Sequence, residues 1–261
     1  MFSKALCRNK RLNSMQKYKI VWIIFILMHS LLYAKVDHVN YKGTFGIFGT
    51  VGIIKNRVEK KSNTYRIETT ITLAGMAKML LGGQTEHYIS KGHMENGFMV
   101  TDYYEMVSRK KGKVVTKSYT VNHKQKYVTK KYKKVKNGKI VKERTEKLPF
   151  YAKDDLLTLY FNMDRHIKTH KGKHSFMLKA VGLEKQKGLV KITVASPSDI
   201  SSYKKDLGKS ADWYAKALIV QKNFRKKKGD ILLSVDKDRY IKKAVIKDIL
   251  LYGDAKLDRI K

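Results

Sequence analysis

Three histidines, His166, His170 and His174, recur at every fourth position, a spacing that on one helix would gather imidazoles for a zinc ion. Zinc needs three or four ligands in fixed geometry. Gly172 interrupts the run, the only cysteine is the distant Cys7, and Lys168, Lys171 and Lys173 repel a cation. The segment therefore reads as a solvated helix end. Asp154 and Asp155 offer paired carboxylates, but neighbours on a helix do not face each other, and an aspartate before an apolar run is an N-cap. Ser196-Pro197-Ser198 lacks the turn of a nucleophile elbow, and Asp199 and Asp212 have no matching histidine. Gly43, Gly46, Gly49 and Gly52 come every third residue without the lysine and hydroxyl of a phosphate loop, so they read as bends inside a strand. No catalytic, cofactor-binding or metal-binding residue is assigned, and no cofactor is expected.

Two other groups of residues could bind something. Met76, Met79 and Leu80, with Leu156, Leu159 and Tyr160, could line an apolar groove for an acyl chain, because flexible apolar side chains adapt to irregular ligands. The simpler reading is that Met76, Met79, Leu80 and Leu81 plug the concave face of a curved sheet. Lys124 to Lys147 carries eleven Lys or Arg against two Glu, centred on the hairpin turn Asn137-Gly138. Lys130, Lys131, Lys133, Lys134 and Lys136, with Lys139 across the turn, place charge on both faces of the ribbon, so it is expected to project from the domain. It is either a solubilising edge or an arm for anionic lipid or lipopolysaccharide.

Charge and compartment narrow the partners. The chain carries a net +35, supplied by 47 Lys and only 10 Arg. Base reading and bidentate phosphate recognition favour Arg, which makes nucleic acid an unlikely partner. Residues 1–34 hold six of the basic residues and none of the 22 acidic ones, leaving +29 on the remainder. Lys17 and Lys19 precede the apolar run from Ile20 to Met28, and Ala34 stands before Lys35, in the order of a secretory signal. Nine apolar residues fall short of the roughly 20 that span a bilayer. Cleavage near Ala34 is expected, with Met1 or Met15 as the start, and the mature protein should be periplasmic rather than membrane-embedded. Its available partners are anionic lipid, lipopolysaccharide or an envelope protein.

The elements that must position these residues are mostly strands. Apolar alternation marks Tyr41–Ile54, Tyr65–Leu73, Thr85–Ser90, Phe98–Val107, Val114–Asn122, Tyr127–Val135 and Ile140–Thr145. It returns at Ser175–Leu183, Leu189–Ala195, Trp213–Gln221, Asp230–Val235 and Tyr240–Tyr252. Helices are expected after Leu73 and over Asp154–Met163, with at most a turn between Ser196 and Asp212. The expectation is one mainly β domain over residues 35–261, a strongly curved antiparallel sheet or incomplete barrel with two short helices.

Four stretches give this order of elements a family likeness. They are Tyr41-Lys-Gly-Thr-Phe-Gly-Ile-Phe-Gly-Thr-Val-Gly, Tyr65-Arg-Ile-Glu-Thr-Thr-Ile-Thr-Leu-Ala-Gly75, Asp155-Leu-Leu-Thr-Leu-Tyr160 and Asp238-Arg-Tyr-Ile-Lys-Lys-Ala-Val-Ile-Lys247. In them the chain resembles the bacterial exported family named domain of unknown function 3108. The resemblance implies a periplasmic β half-barrel similar in shape to lipoprotein carriers, and it implies no activity. The leading expectation is thus a non-enzymatic envelope protein that binds an apolar ligand, a protein segment or an anionic surface. The alternatives are an envelope-polymer hydrolase or transferase, and a structural partner of an envelope complex.

Overall fold

The computed structural model describes residues 35–80, 82–183, 187–220, 228–247 and 254–260. The expected signal over residues 1–34 lies outside them. β1 (Lys35–Phe45) and β2 (Thr50–Lys60) are joined through a 3-10 turn at Gly46–Phe48, and β3 (Thr64–Leu73) leads into α1 (Gly75–Leu80). A meander follows: β4 (Thr85–Glu95), β5 (Phe98–Lys110), β6 (Lys113–Asn122), β7 (Tyr127–Lys136) and β8 (Lys139–Lys147). The short β9 (Asp154–Asp155) opens α2 (Leu156–His166). Next come β10 (Ser175–Val181), β11 (Leu189–Val194), α3 (Ile200–Leu207), β12 (Trp213–Val220), β13 (Lys228–Val235), β14 (Ile241–Ile246) and β15 (Ala255–Ile260).

All these strands form one 15-stranded sheet in the order β8-β7-β6-β5-β4-β3-β2-β1-β15-β14-β13-β12-β11-β10-β9. Every pairing is antiparallel except the short parallel contact of β9 with β10. Two meanders are thus sealed in the middle of the sheet, where Asn40 to Phe45 pair with Ile260 to Ala255. The two free edges, β8 and β9, flank residues 148–153, where Pro149 has no N–H to give a ladder. The sheet stays open there.

From that opening α2 enters the interior. Asp155 caps it, accepting from the backbone of Leu157 and Thr158, while the Thr158 hydroxyl returns to the Asp155 N–H. Leu159 and Met163 pack with Val190 and Ile192 of β11, whereas Asn162 holds Met99 of β5. Those strands lie nine positions apart in the sheet. A flat sheet would separate them by about 43 Å, so the sheet must curl around the helix. Leu157 and Phe161 fill the other side, against Val58, Tyr65, Ile67 and Met99.

The structure departs from the sequence reading in four places. The stretch Tyr41–Ile54 is two strands, because Gly46 and Gly49 take positive φ and reverse the chain. A third helix, α3, occupies the link expected to hold a single turn. The run expected at Tyr240–Tyr252 ends at Ile246, and β15 completes the sheet. Finally, the lysine-rich ribbon does not project alone, since β7 pairs along its length with β6. Among the described residues no helix is long and apolar enough to cross a membrane.

Candidate functional site

Beneath α2 the curled sheet leaves an apolar cavity of about 370 Å³. Its roof is Leu156, Leu157, Leu159, Tyr160 and Met163. One wall comes from β1 to β4 through Tyr41, Ile54, Ile71 and Tyr88, the other from β11 to β15 through Val190, Ile192, Ala217, Leu233, Ala244 and Leu257. The pleat explains the lining: Tyr41 faces Ile54, Ile54 faces Ile71, and Ala244 faces Leu257 across the ladder, so these side chains share the inward face of the sheet. Ile54, Ile71, Ile219, Ile231 and Leu257 are only half-buried.

Asn56, Thr69, Tyr41 and Tyr160 in the wall are hydrogen-bonded within the protein. Asn56 donates to the Val39 carbonyl and accepts from the Thr69 hydroxyl at 2.7 Å. Tyr41 donates to the Ile241 carbonyl at 2.7 Å and meets the Tyr160 hydroxyl. Burial pushes the Tyr41 phenol up to about 12, and raises Tyr160 well above its usual range. Both stay neutral, and the cavity presents hydrocarbon.

At the N-terminus of α2 the chemistry changes. Asp155 is fully buried, and its carboxylate accepts from Thr101 at 2.9 Å, from Ser90, and from two backbone amides of the helix. Burial lifts its carboxyl from 3.8 to about 6, against the pull of those hydrogen bonds. Asp154 lies instead on a second, polar pocket of about 300 Å³, with Glu95, Lys153, Asn162 and His166. There Asp154 accepts from Asn162 at 2.8 Å and pairs with His166 at 2.9 Å, while Lys153 holds Glu95 at 2.7 Å.

The apolar set proposed from sequence is divided. Leu156, Leu159 and Tyr160 line the cavity; Met76 and Met79 do not, and stand 44% and 72% exposed on α1. The Leu80 side chain and Leu81 lie outside the described residues. α1 follows directly on the end of β3 that carries Ile71. Of the lysines, Lys131, Lys133, Lys136 and Lys139 are exposed and Lys134 is half-buried. Lys130 is buried against Glu146 at 3.1 Å and offers nothing to a surface. The three spaced histidines share no helix: α2 ends at His166, His170 stacks on Trp213 with ring centroids 4.5 Å apart, and His174 is exposed. The strand residues of the wall escaped the sequence reading as a site, because their alternation announces a buried face without saying whether that face is filled.

No family model matches the chain. No curated protein matches it. Among solved structures it is similar to a beta-barrel-like protein of domain of unknown function DUF1849 from Brucella abortus, at 9% identity and a TM-score of 0.49 over 88% of this chain and 98% of that one.

Proposed function

We propose that the chain is an exported carrier that holds an elongate apolar ligand, an acyl chain in the first instance, in the cavity beneath α2. The cavity carries this reading. Its volume of about 370 Å³ lies in the range of small-ligand sites, roughly 300–1,000 Å³. A chain burying about ten methylenes there gains roughly 8 kcal/mol before the cost of association. With Asn56, Thr69, Tyr41 and Tyr160 already hydrogen-bonded, the wall favours apolar over polar ligands. The exposed methionines of α1, close along the chain to the lining residue Ile71, suit an adaptable mouth. The signal-like residues 1–34 support a periplasmic setting, where the exposed lysines would meet anionic lipid or lipopolysaccharide.

A hydrolase reading would rest on the polar pocket, whose lining includes Glu95, Asp154 and His166. Its carboxylates are already engaged by Lys153, Asn162 and His166, and no Ser, Thr or Cys is among its lining residues. The carrier reading is better supported.

Native mass spectrometry of the protein exported from its full-length gene tests both parts. We expect a chain beginning near Lys35 that carries an apolar ligand, released on denaturation. Ala217→Phe and Ala244→Phe, which fill the cavity from opposite sides of β13, should lose the ligand and keep the fold. A wild-type protein that carries no such ligand, and takes up no fatty acid from solution, defeats the carrier reading.

A further inference from the structure

A separate cluster lies at the far end of the β4–β5 hairpin, outside the cavity. His93 of β4 places Nδ1 at 3.0 and 3.1 Å from the two carboxylate oxygens of Asp102 on β5. His123, in the turn after β6, brings Nε2 to 3.1 Å from the same Asp102. The three side chains together offer ligand atoms that all lie within 4.8 Å of one another. We propose that His93, Asp102 and His123 form a binding site for a divalent transition cation, zinc in the first place, with a coordination position left open to solvent.

The backbone is built for this meeting. Lys91 pairs with Tyr103 but Gly92 pairs with Thr101, so Asp102 is an extra residue in a β-bulge. Only glycine fits opposite it, since a Cβ at position 92 would lie 1.9 Å from the Val100 carbonyl. Because His93 pairs with Val100, Asp102 two residues further on shares its face of the strand, and the bulge leaves it there beside His123.

The donors fit the ion. Two imidazole nitrogens and one carboxylate make up the three protein ligands of an open zinc site, and imidazole binds zinc, copper and nickel well. Tyr151 places its hydroxyl 2.8 Å from His123 Nδ1, an outer partner that fixes the ring while Nε2 faces the centre. When Tyr151 accepts from Nδ1–H, the bare Nε2 faces two oxygens, Asp102 Oδ1 and the Thr101 carbonyl at 3.0 Å. In that tautomer Nε2 is free to ligate a cation together with Asp102. The chain's net charge opposes a cation at long range, but screening limits that opposition to about 8–10 Å in physiological salt. Nearby, Lys153 is neutralised by Glu95, and Glu95 is close enough to sense both histidines. With neutral imidazoles, Asp102, Glu95 and Lys153 together leave the site one negative charge.

The test uses tag-free full-length protein, stripped with a chelator and titrated with zinc chloride in a calorimeter at neutral pH. We expect stoichiometric uptake, a zinc-dependent rise in melting temperature, and loss of at least about tenfold in affinity for His93→Ala, His123→Ala and Asp102→Asn. Tyr151→Phe should weaken binding by about tenfold with the fold retained, and the triple alanine variant of His166, His170 and His174 should bind as wild type. Nitrogen NMR of the unsubstituted protein reads the site even if a variant misfolds: zinc should shift Nδ1 of His93 and Nε2 of His123. No stoichiometric uptake, uptake indifferent to His93→Ala and His123→Ala, or shifts at other histidines would overturn the proposal and leave a hydrogen-bonded His-Asp-His chain.

Discussion

Asp155 shows how one residue serves fold and site together. Its carboxylate caps α2, ties the helix to Ser90 and Thr101, and so sets the roof of the cavity. Burial holds its carboxyl at about 6 instead of 3.8, so the folded protein binds this proton more tightly than the unfolded chain. The contribution of Asp155 to stability is therefore greatest in acid, and is lost as pH rises from about 4 to about 6, by roughly 3 kcal/mol. Glu59, Glu95 and Asp199 are shifted the other way by their partners, so the total curve alone does not isolate Asp155. A comparison with Asp155→Asn does, because the other groups cancel. Urea unfolding should show wild type losing roughly 3 kcal/mol relative to the variant between pH 3.5 and 7. A difference that stays constant with pH would show that Asp155 is not a buried titrating group.

At the scale of elements, the β7–β8 hairpin divides its lysines by face and by neighbour. Lys130 sits opposite the buried Tyr119 of β6 and is committed to Glu146. Lys131, Lys133, Lys136 and Lys139 remain in water at the edge of the sheet. Each is worth about 1 kcal/mol near an anionic membrane, and the Debye length of about 3 Å at 1 M salt should erase the attraction. We expect wild-type protein to bind anionic vesicles at low salt. Changing those four exposed lysines to Glu should abolish binding without lowering the melting temperature. Lys130→Ala should do the reverse, costing roughly 1–3 kcal/mol of stability and leaving vesicle binding in place. If the four-fold reversal binds vesicles as well as wild type, the edge is only solubilising.

For the whole molecule, the decisive pairing is between β1 and β15. It joins the two meanders at the centre of the sheet, directly below the cavity wall that Tyr41 and Leu257 share. Removing residues 254–261 would leave β1 and β14 as unpaired edges facing each other across the core. We expect that truncation to abolish cooperative thermal unfolding rather than to lower its midpoint by a few degrees, with dye-binding apolar surface exposed. A truncated chain that still melts in one sharp transition would show that α2 alone holds the halves together.

The sequence by itself determined what local physics decides. Alternation in Tyr65–Leu73 fixed a strand with one buried face, Asn137-Gly138 fixed a hairpin, and Asp155 before Leu156, Leu159, Tyr160 and Met163 fixed a capped helix with an apolar face. A mainly β, unclosed antiparallel sheet was legible from those periods alone. Tertiary structure decided whatever depends on pairing between distant residues. β15 carries alternation only over Ala255–Asp258, and β1 and β14 supply it with partners on both sides. Met76 and Met79 look apolar enough for a core, yet the concave face is already covered by α2, so they stay outside. Lys130 and Lys131 are neighbours in sequence, and only the register with Tyr119 buries one and exposes the other. His93, Asp102 and His123 span thirty residues, and strand pairing with its bulge at Gly92 places them together. Local pattern encodes which face of an element is apolar; which surfaces meet, and whether a space is left between them, is set by the curl of the whole sheet.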